Sequence, residues 1–140
     1  MNILVYAFHE GAPDHLRYRG WLETALASPE PVGLSELVLS SFVRVATHPR
    51  VFSPPASIER ALEFANALRA QPNAVIVEVG ERHWDVFQHL CMEVSAKGNL
   101  VADAYLAALA IVSGTEWITT DRDFSRFPGL RWRHPLASKP

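Results

Sequence analysis

The stretch Asn99–Ala110, Asn-Leu-Val-Ala-Asp-Ala-Tyr-Leu-Ala-Ala-Leu-Ala, sets one carboxylate into an almost wholly apolar, helix-forming run. On a helix, the i, i+3, i+4 rule puts Asn99, Asp103, Leu106, Ala107 and Ala110 on one face, and the alanines there let a neighbouring element come close. An isolated ionised carboxylate against such a face is costly, so Asp103 needs a cation, a capping role or water. In one reading Asp103 is the N-cap of a helix that begins at Ala104 and accepts from the N–H of Tyr105 or Leu106. In the other it belongs to a functional acidic cluster.

The second reading draws its weight from Thr119-Thr120-Asp121-Arg122-Asp123-Phe124. Gly114 is placed to close the preceding helix at its C-cap, Glu116-Trp117-Ile118 is a short β-rich run, and the acidic loop follows it. In a parallel α/β sheet functional groups collect at the carboxyl ends of the strands, where Asp121 and Asp123 fall. Turn chemistry alone would make them an Asx-turn in a solvated loop. Two such carboxylates and a third on an adjoining helix suit a hard cation.

The chain has 140 residues, 49% of them hydrophobic, enough for the core of a single globular unit. A formal net charge of −2 gives no global basic field, so any contact with nucleic acid has to be local. The single cysteine, Cys91, excludes an internal disulfide and argues against a Cys-based zinc site. Among the six histidines no two make a ligand pair at helical spacing around a carboxylate, and His83 and His89 read as surface or half-buried residues. No run approaches the roughly 18 apolar residues of a membrane span, and no cationic leader precedes an apolar core. The expectation is a soluble, cytoplasmic protein without membrane contact.

Ile3–Phe8 is apolar throughout, a buried strand or a buried helical turn that period alone does not separate. Pro13-Asp14 suits the start of a helix to Ala27, with Leu16, Trp21, Leu22, Ala25 and Leu26 toward the core. Ser35 and Glu36 mark another helix start, where the dipole favours a Glu whatever the function. That helix stops at Thr47-His48-Pro49, leaving Arg44, His48 and Arg50 as a basic group at its end. A helix over Ser57–Ala70 has Ile58, Ala61, Leu62, Ala65 and Leu68 at core spacing. Ala74–Val79 reads as a strand, and Arg82–Ser95 as a helix carrying Trp84, Phe87, Leu90 and Val94.

Four segments, in order, carry a family resemblance: Asn-Ile-Leu-Val-Tyr-Ala from Asn2; Gly-Leu-Ser-Glu and Phe-Val-Arg-Val-Ala-Thr-His-Pro-Arg-Val-Phe within Gly33–Phe52; Gly-Asn-Leu-Val-Ala-Asp-Ala-Tyr-Leu-Ala-Ala-Leu-Ala from Gly98; and Thr-Asp-Arg-Asp-Phe from Thr120. Together they resemble the PIN-domain ribonucleases, and more narrowly the VapC-type toxins of type II toxin–antitoxin pairs in their mycobacterial group. The resemblance implies an α/β fold, a three-layer α/β/α sandwich on a parallel sheet, as one PIN-like domain over residues 1–140. It also implies acidic residues gathered at one sheet edge around Mg²⁺ or Mn²⁺, which would activate water for attack on an RNA phosphodiester.

By this match Asp103 is the acid of the Ala-rich helix, Asp121 the acid after the last core strand and Asp123 its neighbour. Glu36 is the acid of the Ser-Glu motif, whereas many PIN domains carry a Glu where this chain has Ser41. Asn2 matches the Asn of the opening Asp-x-Asn motif, and Thr120 a polar residue on the same edge. The opening acid would lie two residues before Asn2. That acid and its strand are therefore expected to be missing here, and catalysis to be weakened.

The implied substrate is structured RNA, a transfer RNA or ribosomal RNA loop, with Arg44, Arg50, Arg122 and Arg126 as phosphate contacts. The implied partners are a VapB-type antitoxin, inserting an Arg toward the carboxylates, and a second copy in a homodimer. Three alternatives stay open: a catalytically impaired PIN-like module that binds antitoxin or RNA without cleaving, a metal-dependent phosphatase or receiver-type domain, and a structural α/β protein. A receiver would need a lysine after a late strand, and neither Lys97 nor Lys139 follows a strand end.

Overall fold

Ile3–Phe8 is helical. In the computed structural model, which describes residues 2–137 and so leaves Lys139 outside, the chain runs through helices α1 (Asn2–Phe8) and α2 (His15–Ala27), strand β1 (Val32–Leu34), helices α3 (Glu36–Ala46) and α4 (Ile58–Arg69), and strand β2 (Ala74–Ile76). It continues with helices α5 (His83–Glu93) and α6 (Asn99–Ser113), strand β3 (Trp117–Ile118), a 3-10 turn over Arg122–Arg126, and strand β4 (Trp132–Arg133). Contacts divide the chain into two compact units, Met1–Ile76 and Val77–Pro140.

In the first unit β1 and β2 pair in parallel, Val32 opposite Ala74 and Leu34 opposite Ile76. Parallel pairing needs a crossover, which α3 and α4 supply. The strand expected to reach Val79 stops at Ile76. Asn73 ties the end of α2 to this ladder, its Nδ2 donating to the carbonyls of Ala25, Ser28 and Glu30 at 3.0, 2.9 and 2.9 Å. Phe42 of α3 is 0% exposed. Its ring stands edge-on to Phe8 of α1 at 5.3 Å and tilted against Phe64 of α4 at 5.1 Å.

Helix starts follow the sequence. Ser57 caps α4 by accepting the Arg60 N–H at 3.2 Å, and Ser35 stands in extended conformation ahead of Glu36. Helix faces agree less well. Leu16, expected in the core, is exposed, because His15 takes the inward position on α2 and donates from Nδ1 to the Tyr6 carbonyl at 2.8 Å. On α4 the closest approach is made by Ala61, Ala65 and Leu68, which leaves Ile58 and Leu62 on the exposed shoulder of the stripe.

In the second unit α5 packs along α6, and Leu90, Ala104, Ala107, Ala108, Phe124 and Phe127 form one buried cluster that Phe87, Trp117 and Trp132 flank. The α6 alanines permit this approach, as the sequence suggested. His83 corrects the sequence reading: it is 1% exposed and donates from Nε2 to the Tyr105 carbonyl at 2.9 Å, turning Trp84 out to solvent. His89 is exposed and lies 3.3 Å from Glu93. β3 and β4 pair in parallel, Trp117 opposite Trp132. No helix among the described residues is long and apolar enough to cross a membrane.

Candidate active site

Asp103 owes its position to the glycines at the two ends of α6. Gly98, at φ 55° and ψ −125°, is the N-cap, and Gly114, at φ 68°, is the C-cap, both in conformations that side chains beyond glycine rarely adopt. The helix therefore starts at Asn99 and Asp103 lies a turn inside it, which overturns the reading of Asp103 as N-cap of a helix from Ala104. Its carboxyl is half-buried beside the fully buried Ala104 and Ala107.

Asp121 and Asp123 come to this unit by a different route. After β3, the buried Thr119 accepts the Asp121 N–H on Oγ1 at 3.1 Å, and Asp121 accepts the Asp123 N–H on Oδ1 at 2.9 Å, capping the 3-10 turn. The Asx-turn is thus real, and it does not exclude the cluster. Burial, and then the negative charges of Asp121 and Asp123, push the Asp103 carboxyl above the ordinary carboxylate range. Among the described residues none of the three acids is ion-paired to Arg, Lys or His. Arg122 and Arg126, on the same turn, are exposed.

Sequence reading missed Thr119 and named Thr120, whose side chain forms no hydrogen bond among the described residues. The signal was available as a hydroxyl two residues before Asp121, the spacing of a side-chain turn. Thr119→Val keeps the volume and removes the acceptor. We expect it to weaken divalent-cation binding about tenfold, as losing a ligand's outer-shell support does, with Thr119→Ser restoring it. Mn²⁺ titration calorimetry on the three proteins checks this.

The other matched residues lie in the first unit. Glu36 is exposed in the first turn of α3, 3.8 Å from Arg69 at the end of α4, a solvent-screened pair of small energy. Asn2 is the exposed first residue of α1, and Arg44 and Arg50 are exposed at the end of α3 and just past it.

Among the described residues, no three His, Cys, Asp or Glu side chains converge closely enough to enclose a metal ion by themselves. The donor chemistry nonetheless fits a hard divalent cation. Asp103, Asp121 and Asp123 offer oxygen only, the charges of the latter two bear on Asp103, none is ion-paired among the described residues, and Mg²⁺ is ordinarily held by one or two carboxylates with water and phosphate completing its shell.

The PIN-domain family matches residues 1–130 of the chain. Over 136 residues, 97% of this chain and 92% of the relative, the sequence is 46% identical to Ribonuclease VapC43 of Mycobacterium tuberculosis. A VapC ribonuclease of Mycobacterium bovis matches to the same extent. Ribonuclease VapC31 of Mycobacterium tuberculosis is 37% identical over 134 residues, 96% of this chain and 94% of that one. A solved structure of VapBC2 from Rickettsia felis, bound to a DNA fragment from its promoter, superimposes with a TM-score of 0.69 over 95% of this chain and 93% of that chain at 21% identity, a likeness of fold. With the family model and the relatives in agreement over nearly its whole length, the chain belongs to the PIN-domain family, in its VapC ribonuclease group.

Proposed function

We propose that this chain is the toxin of a type II toxin–antitoxin pair, a single PIN domain acting in the cytoplasm as a divalent-cation-dependent endoribonuclease on structured RNA, transfer or ribosomal. The observation that carries the reading is the half-buried Asp103 carboxyl, raised by burial and by the charges of Asp121 and Asp123, with none of the three ion-paired among the described residues. PIN-domain ribonucleases are generally dependent on divalent metal, and a group of this kind is what such an ion stabilises.

Asp103 and Asp121 are the residues that would hold the ion, with Asp123 beside them and Thr120 as a supporting polar group. When bound, Mg²⁺ or Mn²⁺ supplies Lewis acidity at the phosphate and a nucleophilic water at neutral pH. The chain's own contribution is placement. Thr119 and the Asx-turn fix the backbone of Asp121, and the glycine-bounded α6 fixes Asp103. Arg122 and Arg126 orient the RNA phosphates from the same turn, while Arg44 and Arg50 add contacts from the first unit, since affinity in a chain of net charge −2 has to come from local cations.

The partner is a VapB-type antitoxin that offers the acids a guanidinium, a bidentate match to carboxylate, and the toxin is a homodimer. The alternative reading is a module that binds RNA without cutting it.

Incubation with transfer and ribosomal RNA separates the two. The nuclease reading expects discrete cleavage products that require added Mg²⁺ or Mn²⁺ and vanish with EDTA. Binding without products would establish the second reading, and products that persist in EDTA would overturn the metal assignment.

A further inference from the structure

The ends of α1 and α3 carry two turns whose side chains meet outside the buried core of the first unit. The His9 ring stacks on Phe52 with 4.1 Å between centroids and 18° between planes. His9 Nδ1 accepts the Gly11 N–H at 3.1 Å, so the neutral ring carries its proton on Nε2. Gly11 eases this approach, since a Cβ there would lie 3.0 Å from His9 Cε1 and the ring would have to give by a few tenths of an ångström. Phe52 is held from its own side: the Val51 and Phe52 N–H groups both donate to the His48 carbonyl, at 3.0 and 3.1 Å, and His48 Nδ1 accepts the Arg50 N–H at 3.0 Å.

Both rings are half-buried, so the stacked pair keeps surface on the solvent. Arg50, two residues before Phe52, and Arg44, in the last turn of α3, are exposed and form no ion pair among the described residues. The one acid in residues 9–12 and 44–52 is Glu10. A rigid aromatic surface, a fixed N–H donor and unpaired guanidinium groups are together what a flipped-out nucleotide binds: the base on the rings, the phosphate on the cations.

We propose that the His9–Phe52 stack is a platform for an unpaired base of the RNA substrate, with Arg50 and Arg44 on the flanking phosphates. The proposal rests on the ribonuclease reading above and adds a selectivity to it. A base inside a duplex keeps its stacking partners and cannot lie on the platform, so the site favours loops and single strands.

The test measures binding of the full chain, in EDTA to prevent cleavage, to a fluorescent RNA hairpin with an unpaired loop and to a blunt RNA duplex of equal length. Phe52→Leu should lower affinity for the hairpin about tenfold, the scale of one lost base stack, and leave duplex affinity unchanged, while Phe52→Trp retains hairpin binding. Gly11→Ala, which displaces the His9 ring, and Arg50→Gln should both weaken hairpin binding with Phe52 intact, and they decide the matter if Phe52→Leu fails to fold. Unchanged hairpin affinity, or equal losses on hairpin and duplex, overturns the platform and leaves the nuclease reading standing. Failure of the wild-type chain to bind the hairpin also overturns the platform, and the nuclease reading is then decided by the cleavage assay with added metal.

Discussion

Asp103→Asn is expected to abolish metal-dependent RNA cleavage and at the same time to stabilise the fold. The activity loss is expected to be at least about a hundredfold, because electrostatic stabilisation by a bound divalent ion would lower the barrier by several kcal/mol and each 1.36 kcal/mol is tenfold in rate. The gain in stability follows from the same carboxyl. Burial and the charges of Asp121 and Asp123 raise its pKa in the folded chain, so the ionised form is the one the fold tolerates poorly. The folded state then holds the proton more tightly than the unfolded chain does, and stability falls as pH rises from the ordinary carboxylate range through the raised value. Asparagine removes that limb. Thermal melts at neutral pH without metal should place the variant above wild type, and Mn²⁺ should raise the wild-type melt much more than the variant's. A variant that keeps full cleavage sinks the site, and one that loses stability makes Asp103 a structural residue.

Phe42→Ala should cost the first unit about 3–5 kcal/mol, the usual penalty for emptying a buried aromatic position. Phe42 is the ring on which α1, α3 and α4 meet, through Phe8 and Phe64, and its full burial leaves no solvent to fill the gap. Total stabilities of roughly 5–15 kcal/mol leave little reserve against such a loss, and a fall in melting temperature on the order of 10 °C or more is expected. Phe42→Leu, which keeps most of the volume, should lose much less. Paired melts of the two variants check this, and equal melting temperatures would mean that the ring contacts do not hold these helices together.

Most of this organisation is legible in the residues. The alanine stripe of α6, the Gly114 stop, the Ser57 and Ser35 starts and the acidic turn after β3 are each dictated locally, by size, φ or a short-range hydrogen bond. What sequence alone could not supply was the rotational phase of α2 and α5. His15 and His83 take inward positions because a main-chain carbonyl of another segment, Tyr6 or Tyr105, is there to accept, and Leu16 and Trp84 are turned outward as a result. A hydropathy pattern carries no record of a distant acceptor. The role of Asp103 was undecided for a related reason. An N-cap and a mid-helix carboxylate differ only in where the helix begins, and that is set by the backbone of Gly98, five residues earlier.

The two glycines that bound α6 also act as a ruler. Each residue of an α-helix advances the azimuth by about 100°, so the direction of the Asp103 side chain is counted off from fixed ends. Substitutions along the exposed side of the helix leave that count alone. Inserting or deleting one residue between Gly98 and Asp103 would swing the carboxylate by about 100°, away from Asp121 and Asp123. The same edit between Asp103 and Gly114 would instead shift the turn and strand that carry those partners. The helix between the glycines therefore has a reading frame of its own: it accepts changes of letter and does not accept changes of length.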